Sequence, residues 1–368
     1  MSVNRRALLG GLAATFALQA GFSAAKGQSK LIGLSLPLTG NQSEVAIDLQ
    51  RGYGLALQST GSDLRLQVLD DAGDVNRTAA NVAALASNSS VIALSGLVGT
   101  PHAEKALPIA TAGGLPVVGI RSGAKILRLG QGGVYHLRSS YEDELDAVAK
   151  FCAGVGIQSV GIVHSDDSFG QGSRKHFVAA LKALGIEALP PMPVARDNPN
   201  VAAVAATCAA AVSINDRRAC VVLLMISRPM SAVAKELREV HKIALPIFAM
   251  SFVATRSVSA DVIPHLEGLG IVSAFPLPRI SNADMSRQFR ADCDRFGAID
   301  LVTSPTAFEG YFYGSVIAKT GADSRSQVNQ RLLAGLRVYD QSIKFGADMV
   351  GYKHLEFVRK SYDGKLKS

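Results

Sequence analysis

Short apolar runs bounded by Pro, Gly, Ser and Asp recur along this chain, each followed by a longer stretch whose apolar positions return every third or fourth residue. The runs read as buried strands and the stretches as amphipathic helices. The fullest instance is SVGIVHSDDSFGQG at 159–172. There Val160, Ile162 and Val163 suit a parallel strand, and Ser165, Asp166, Asp167 and Ser168 offer caps for a helix beginning near Gln171. The same grammar stands at 30–40, KLIGLSLPLTG, where a strand ends in a Pro/Thr/Gly loop before a long helix. Elsewhere the pattern predicts strands over 64–69, 91–95, 115–120, 220–226, 246–250 and 270–275, with a late antiparallel strand within 349–359. Helices are expected over 79–87, 103–111, 142–153, 174–184, 201–212, 232–242, 285–296 and 306–320. This alternation is that of an α/β fold with parallel-rich sheets covered on both faces. Ligands of such sheets bind beyond the carboxyl ends of the strands, so the loops after the 30–40 and 159–172 strands are expected to be the lips of one cleft.

The first 25 residues predict an export signal. Arg5-Arg6 precedes a mostly apolar run from Ala7 to Leu18 that contains Gly10 and Gly11, and Ser23, Ala24 and Ala25 supply a small-residue cleavage site. This fits a twin-arginine signal cleaved near Ala25. The run is shorter than the roughly 20 apolar residues of a membrane span, and no cysteine lies nearby to carry a lipid. A periplasmic, not membrane-embedded protein is the expectation.

Removing Arg5 and Arg6 lowers the formal charge from +8 to +6. The remaining Lys and Arg are dispersed without an aromatic-interleaved basic run, so no nucleic-acid partner is expected. Roughly 340 mature residues exceed what one core supports, which implies two domains. Cys152, Cys208, Cys220 and Cys293 show no metal-ligand spacing. Cys208 and Cys220 could bridge in an oxidising compartment, and buried free thiols are the alternative. The seven histidines form no close pairs, so His102, His164 and His241 read as loop or surface residues and neither metal nor cofactor is expected.

An enzymatic reading has one support. Ser122-Gly123-Ala124-Lys125 fits S-x-x-K and Lys319-Thr320-Gly321 fits K-T-G, the order used by serine penicillin-recognising enzymes. That chemistry needs the Ser at a helix N-terminus and K-T-G on a strand, whereas Ser122 follows a predicted strand and Gly321 caps a predicted helix. The chain is therefore not expected to be an enzyme.

Several pieces stand in a fixed order: IGLSLPLTG at 32–40, twelve residues before Gly52, then LDDAGD at 69–74, ALSGLVGT at 93–100 and YHLRSS at 135–140. The 159–172 stretch and AFEGYFYGSVIA at 307–318 complete the set. Over residues 31 to about 365 the chain resembles the periplasmic leucine/isoleucine/valine-binding protein family, the type I receptors that serve ABC importers. The resemblance implies two Rossmann-like lobes, 30–139 plus 274–337 and 140–273 plus 338–368, joined by three crossovers near 138–141, 272–275 and 338–344. It implies a monomer without cofactor that traps a small ligand between the lobes and delivers it to a permease. A receptor module that signals through a partner shares the fold and is the alternative. Permease and ATPase genes beside this one would favour transport, and a sensor kinase would favour signalling.

Carried over residue by residue, the resemblance implies a ligand site at Val45, Thr100, Arg121, Ser122, Gly123, Phe169, Ser227 and Phe252. Thr100 matches the hydroxyl that holds a ligand carboxylate. Gly123 replaces a hydroxyl-bearing residue, and Arg121 introduces a charge. Phe169 keeps a stacking ring without the usual tyrosine hydroxyl, and Val45 stands where the family has an aromatic. The acid that pairs an α-ammonium falls on or beside Phe252. A buried ammonium without counter-charge costs several kcal/mol, about a thousandfold in affinity. The expected ligand is therefore a small apolar or aromatic carboxylate, or an amino-acid-like compound.

Overall fold

A computed structural model describes residues 29–128, 132–195, 200–213, 218–253, 263–360 and 366–367. Arg5-Arg6 and the expected cleavage site lie outside them. In chain order the first part runs β1 Leu31–Leu36, α1 Ser43–Thr60, β2 Arg65–Asp70, α2 Val75–Ser87, β3 Val91–Ser95, α3 Thr100–Ala112, β4 Val117–Val118 and β5 Val134–Tyr135. The second runs α4 Tyr141–Gly154, β6 Ser159–Ser165, α5 Ser168–Ala183, β7 Glu187–Ala188, β8 Met192–Val194, α6 Val201–Ser213, β9 Ala219–Leu224, α7 Ser227–Glu239, β10 Ile247–Met250 and β11 Gly270–Ser273. It closes with α8 Asp284–Arg295, α9 Pro305–Lys319, α10 Arg325–Ala334, β12 Leu336–Val338, β13 Gln341–Ile343, β14 Glu356–Lys360 and β15 Leu366–Lys367.

Two main sheets result, one per lobe, together with a small β12–β13 hairpin, so the chain has the expected α/β architecture. The first has the order β2-β1-β3-β4-β5 and is parallel throughout. The second has the order β15-β14-β11-β10-β9-β6-β7, with β8 also on β6. It is parallel except where β14 pairs β11 and β15 pairs β14. Alternation along β9 explains its burial. Cys220, Val222 and Leu224 join the core on the α4–α5 face, and Val221 and Leu223 join a separate cluster with α6 and α7. A strand covered on both faces buries every residue it carries. His164 on β6 is accordingly 4% exposed, with Nδ1 2.9 Å from Ser165 O, and is not the surface residue expected. His102, inside α3, is likewise buried. All four cysteines are buried free thiols, and the sulfur beside Cys220 is that of Cys152, 3.7 Å away, rather than that of Cys208.

One expected crossover is displaced. The 338–344 segment forms the β12–β13 hairpin with Tyr339 at φ +55° in its turn, and the hairpin packs on α9. Val350 then bridges His136 beside β5 before the chain reaches the second sheet at β14. An apolar alternation of three residues signals a strand but not which sheet it joins. No helix among the described residues is long and apolar enough to cross a membrane.

Candidate functional site

Two glycines shape the first sheet's contribution. After β4, Gly119 adopts φ +74°, and a Cβ there would stand 2.6 Å from the Tyr313 ring. Only glycine allows the chain to turn aside at this point, and the strand expected over 115–120 is cut to Val117–Val118. The following residues run beside the loop after β3: Arg121 N donates to Leu97 O (2.9 Å) and Gly99 N to Arg121 O (3.3 Å). Gly99, at φ +98°, then opens α3 with Thr100. The product is a buried hydroxyl pair, Thr100 Oγ1 and Ser122 Oγ 2.8 Å apart. It sits at a helix N-terminus, where the backbone dipoles favour negative charge.

The second sheet contributes aromatics. Asp167 accepts from Gly170 N (3.0 Å) and caps α5. The helix therefore begins at Ser168, earlier than expected, and Phe169 lies in its first turn, 5% exposed, rather than in the loop. After β10 a single 3-10 turn, Ser251–Val253, brings Phe252 to Phe169, with ring centroids 5.8 Å apart. Arg121 crosses from the first sheet to meet them. Its guanidinium stands 4.9 Å from the Phe252 centroid, and both terminal nitrogens lie 3.4 Å from Phe252 O. One of them also donates to Thr306 Oγ1 at 3.1 Å.

Beneath these lies a charge network that the sequence did not disclose. Arg138, on the first crossover, places Nη1 3.1 Å from Glu309 Oε1 in α9 and Nη2 3.3 Å from Glu144 Oε1 in α4. Glu309 Oε2 is 3.3 Å from Arg121 Nε, which is not aligned to donate to it. Ser251 donates to Glu144 through N (2.9 Å) and Oγ (2.6 Å) and also meets Arg138. Tyr313 donates to Glu309 Oε1 at 2.7 Å. All four charged side chains are 5% exposed or less. Burial raises the Glu144 carboxyl above its ordinary range, with Arg138 opposing. For Arg138 burial disfavours the cation, but Glu309, Tyr141 and Glu144 outweigh it and the pKa is raised. Two cations face two anions, so the network is neutral as a whole.

Among the described residues, a cavity of about 10 Å³ lies between Arg121, Arg138, Ser251, Ser273, Phe275 and Glu309, room for about one water. Of the residues singled out in the sequence, Thr100, Arg121, Ser122, Gly123, Phe169 and Phe252 surround the junction between the sheets. Val45 lies in the first turn of α1 and Ser227 opens α7, and among the described residues neither joins the polar network. The rival enzyme's residues do not assemble: Ser122 bonds Thr100 and Ala124 N, Lys125 is exposed, and Lys319 ends α9. Sequence reasoning missed Arg138, Glu144, Ser251 and Glu309. The available signal was Glu309, a carboxylate within the apolar stretch AFEGYFYGSVIA.

A possible leucine/isoleucine/valine-binding protein from Rhodopirellula baltica superposes with TM-score 0.80 at 23% identity, covering 92% of this chain and 96% of its own. A solute-binding protein of an R. palustris ABC transporter in complex with benzoate gives TM-score 0.79 at 17% identity, over 92% and 95%. The branched-chain amino acid transporter substrate-binding protein of Streptococcus pneumoniae in complex with isoleucine gives 0.79 at 15%, over 93% and 98%. A comparison with curated proteins finds no match. The sequence profile of the periplasmic binding protein family matches residues 31–355, and the chain thus belongs to that family, whose members bind solutes and are not enzymes.

Proposed function

We propose that this chain is exported through its twin-arginine signal, cleaved near Ala25 and active in the periplasm as a monomer. There it captures a small carboxylate in the interlobe cleft and delivers it to an ABC importer's permease. We take the lobes to be 30–139 plus 274–337 and 140–273 plus 338–368, with the 338–350 segment moved to the first lobe on its contacts with α9 and β5. One observation carries the ligand class: Phe252 stands where an ammonium would require an acid, and the Arg121 guanidinium lies 4.9 Å from its ring. At the Phe252 ring an ammonium would meet the Arg121 cation and no acid of its own, since Glu309 and Glu144 already face Arg121 and Arg138, at a cost of several kcal/mol. A carboxylate meets the Thr100–Ser122 hydroxyls, the α3 N-terminus and Arg121, and an apolar or aromatic body rests on Phe169 and Phe252. The benzoate complex of the R. palustris relative supports this chemistry.

A thermal-shift screen pairing each amino acid with its deaminated analogue, benzoate included, tests the reading. Ligand at about 100 times Kd raises stability by roughly 2.7 kcal/mol. The acids are expected to stabilise the protein, Arg121→Ala to abolish the shift and Lys125→Ala to leave it intact. Stabilisation by branched-chain amino acids but not by their acids would overturn the carboxylate reading.

A further inference from the structure

Tyr141, the first residue of α4, is 1% exposed, yet its hydroxyl proton has no acceptor among the described residues. Five other tyrosine hydroxyls are bonded: Tyr53 to Ser95, Tyr135 to Asn329, Tyr311 to Asp292, Tyr313 to Glu309 and Tyr339 to Ser315. A buried hydroxyl left unpaired is costly, and an apolar ring of the same shape would avoid that cost. Phenylalanine would therefore serve packing better than tyrosine does.

The ring is held firmly between the two halves of the cleft. Tyr141 N donates to Gly123 O at 2.9 Å, and a reciprocal cap between Ser140 and Asp143 fixes the helix start. The ring meets Phe169 edge to face, with centroids 5.0 Å apart, and the Arg138 guanidinium lies 5.5 Å from its centre. A Cβ on Gly123 would stand 2.7 Å from Tyr141 Cδ1 and 2.9 Å from its N, so the missing side chain at 123 is what admits the ring. Burial, with Arg138 opposing, pushes the phenol pKa up to about 12, so the group stays a proton donor near neutral pH.

We propose that the Tyr141 hydroxyl donates a hydrogen bond to an oxygen of the bound ligand, making Tyr141 a specificity-determining residue beside Thr100 and Ser122. The proposal rests on the carboxylate reading above. Its test is Tyr141→Phe, which deletes the hydroxyl alone, compared with the native protein by urea unfolding without ligand and by calorimetric titration with benzoate, 4-methyl-2-oxopentanoate and leucine. The expected result is an unfolding midpoint no lower than the native one, with affinity for the acid that the native protein binds reduced about tenfold or more. Unchanged affinity in the variant would overturn the proposal and leave the carboxylate reading standing. A lowered midpoint would also overturn it, because the hydroxyl would then have a partner inside the protein. If the native protein binds leucine and neither acid, the carboxylate reading fails, and a tenfold loss of leucine affinity in Tyr141→Phe keeps the hydroxyl as a ligand donor.

Discussion

Glu309 is the residue on which the buried network turns, because it is the carboxylate shared by Arg121 and Arg138. Removing one partner of a buried ion cluster leaves uncompensated charge, and such losses run to about 3–5 kcal/mol. Glu309→Gln keeps the shape, and we expect it to lower stability by that order in urea unfolding. A loss below about 1 kcal/mol would mean that water already reaches the cluster. The Arg51–Asp300 pair is shorter, at 2.6 Å, but its side chains are 40% and 49% exposed. Solvent screening reduces such a pair to about 0–1 kcal/mol, so burial and not distance ranks the two.

At the scale of elements, the α1–α9 contact explains two glycines inside the sequence motifs. A Cβ on Gly52 would stand 2.0 Å from Ala307 O, and one on Gly310 would stand 2.3 Å from Leu49 O. The helix backbones touch, which no larger residue permits. Gly54, two residues along α1, has nothing within 4 Å of a Cβ. Alanine should therefore act with opposite sign at the two positions. Gly52→Ala is expected to lose about 3 kcal/mol through overpacking, and Gly54→Ala to gain up to about 1 kcal/mol of helix propensity. Equal effects of the two in chemical denaturation would refute this account of the interface. A separate tie lies beneath the first sheet, where Arg325 donates to the carbonyls of Val91, Gly113, Ala86 and Asn88. It pins α10, a helix absent from the sequence-based expectation.

At the scale of the molecule, two lobes joined by hinge segments are expected to rotate together around a bound ligand. Small-angle scattering is expected to show a larger radius of gyration without ligand than at saturation with the acid that the thermal-shift screen selects. An equal radius in both states would argue against a hinged trap. The chain has no tryptophan, so scattering or calorimetry reports closure better than intrinsic fluorescence. Export has its own test. Replacing Arg5 and Arg6 by Lys is expected to leave uncleaved precursor in the cytoplasm, and normal periplasmic yield of that variant would exclude the twin-arginine route.

The order of strands and helices was legible in the sequence because both the period of apolar residues and their Gly, Pro and Asp boundaries are local properties. The candidate ligand residues Thr100, Arg121, Ser122 and Phe169 came instead from the family resemblance, and Thr100 and Phe169 turn out to stand in the first turns of α3 and α5. Local pattern is silent about which strand meets which sheet, and the crossover near 338–344 that the resemblance implied is instead a hairpin on α9. It is silent too about partners far apart in the chain. Arg138 and Glu309 are 171 residues apart and meet at 3.1 Å, Gly123 is glycine because of Tyr141, and Gly119 because of Tyr313. Burial and proximity between such residues exist only once both sheets have formed and closed on one another, so the tertiary structure alone decided the charge network and the unpaired phenol in the cleft.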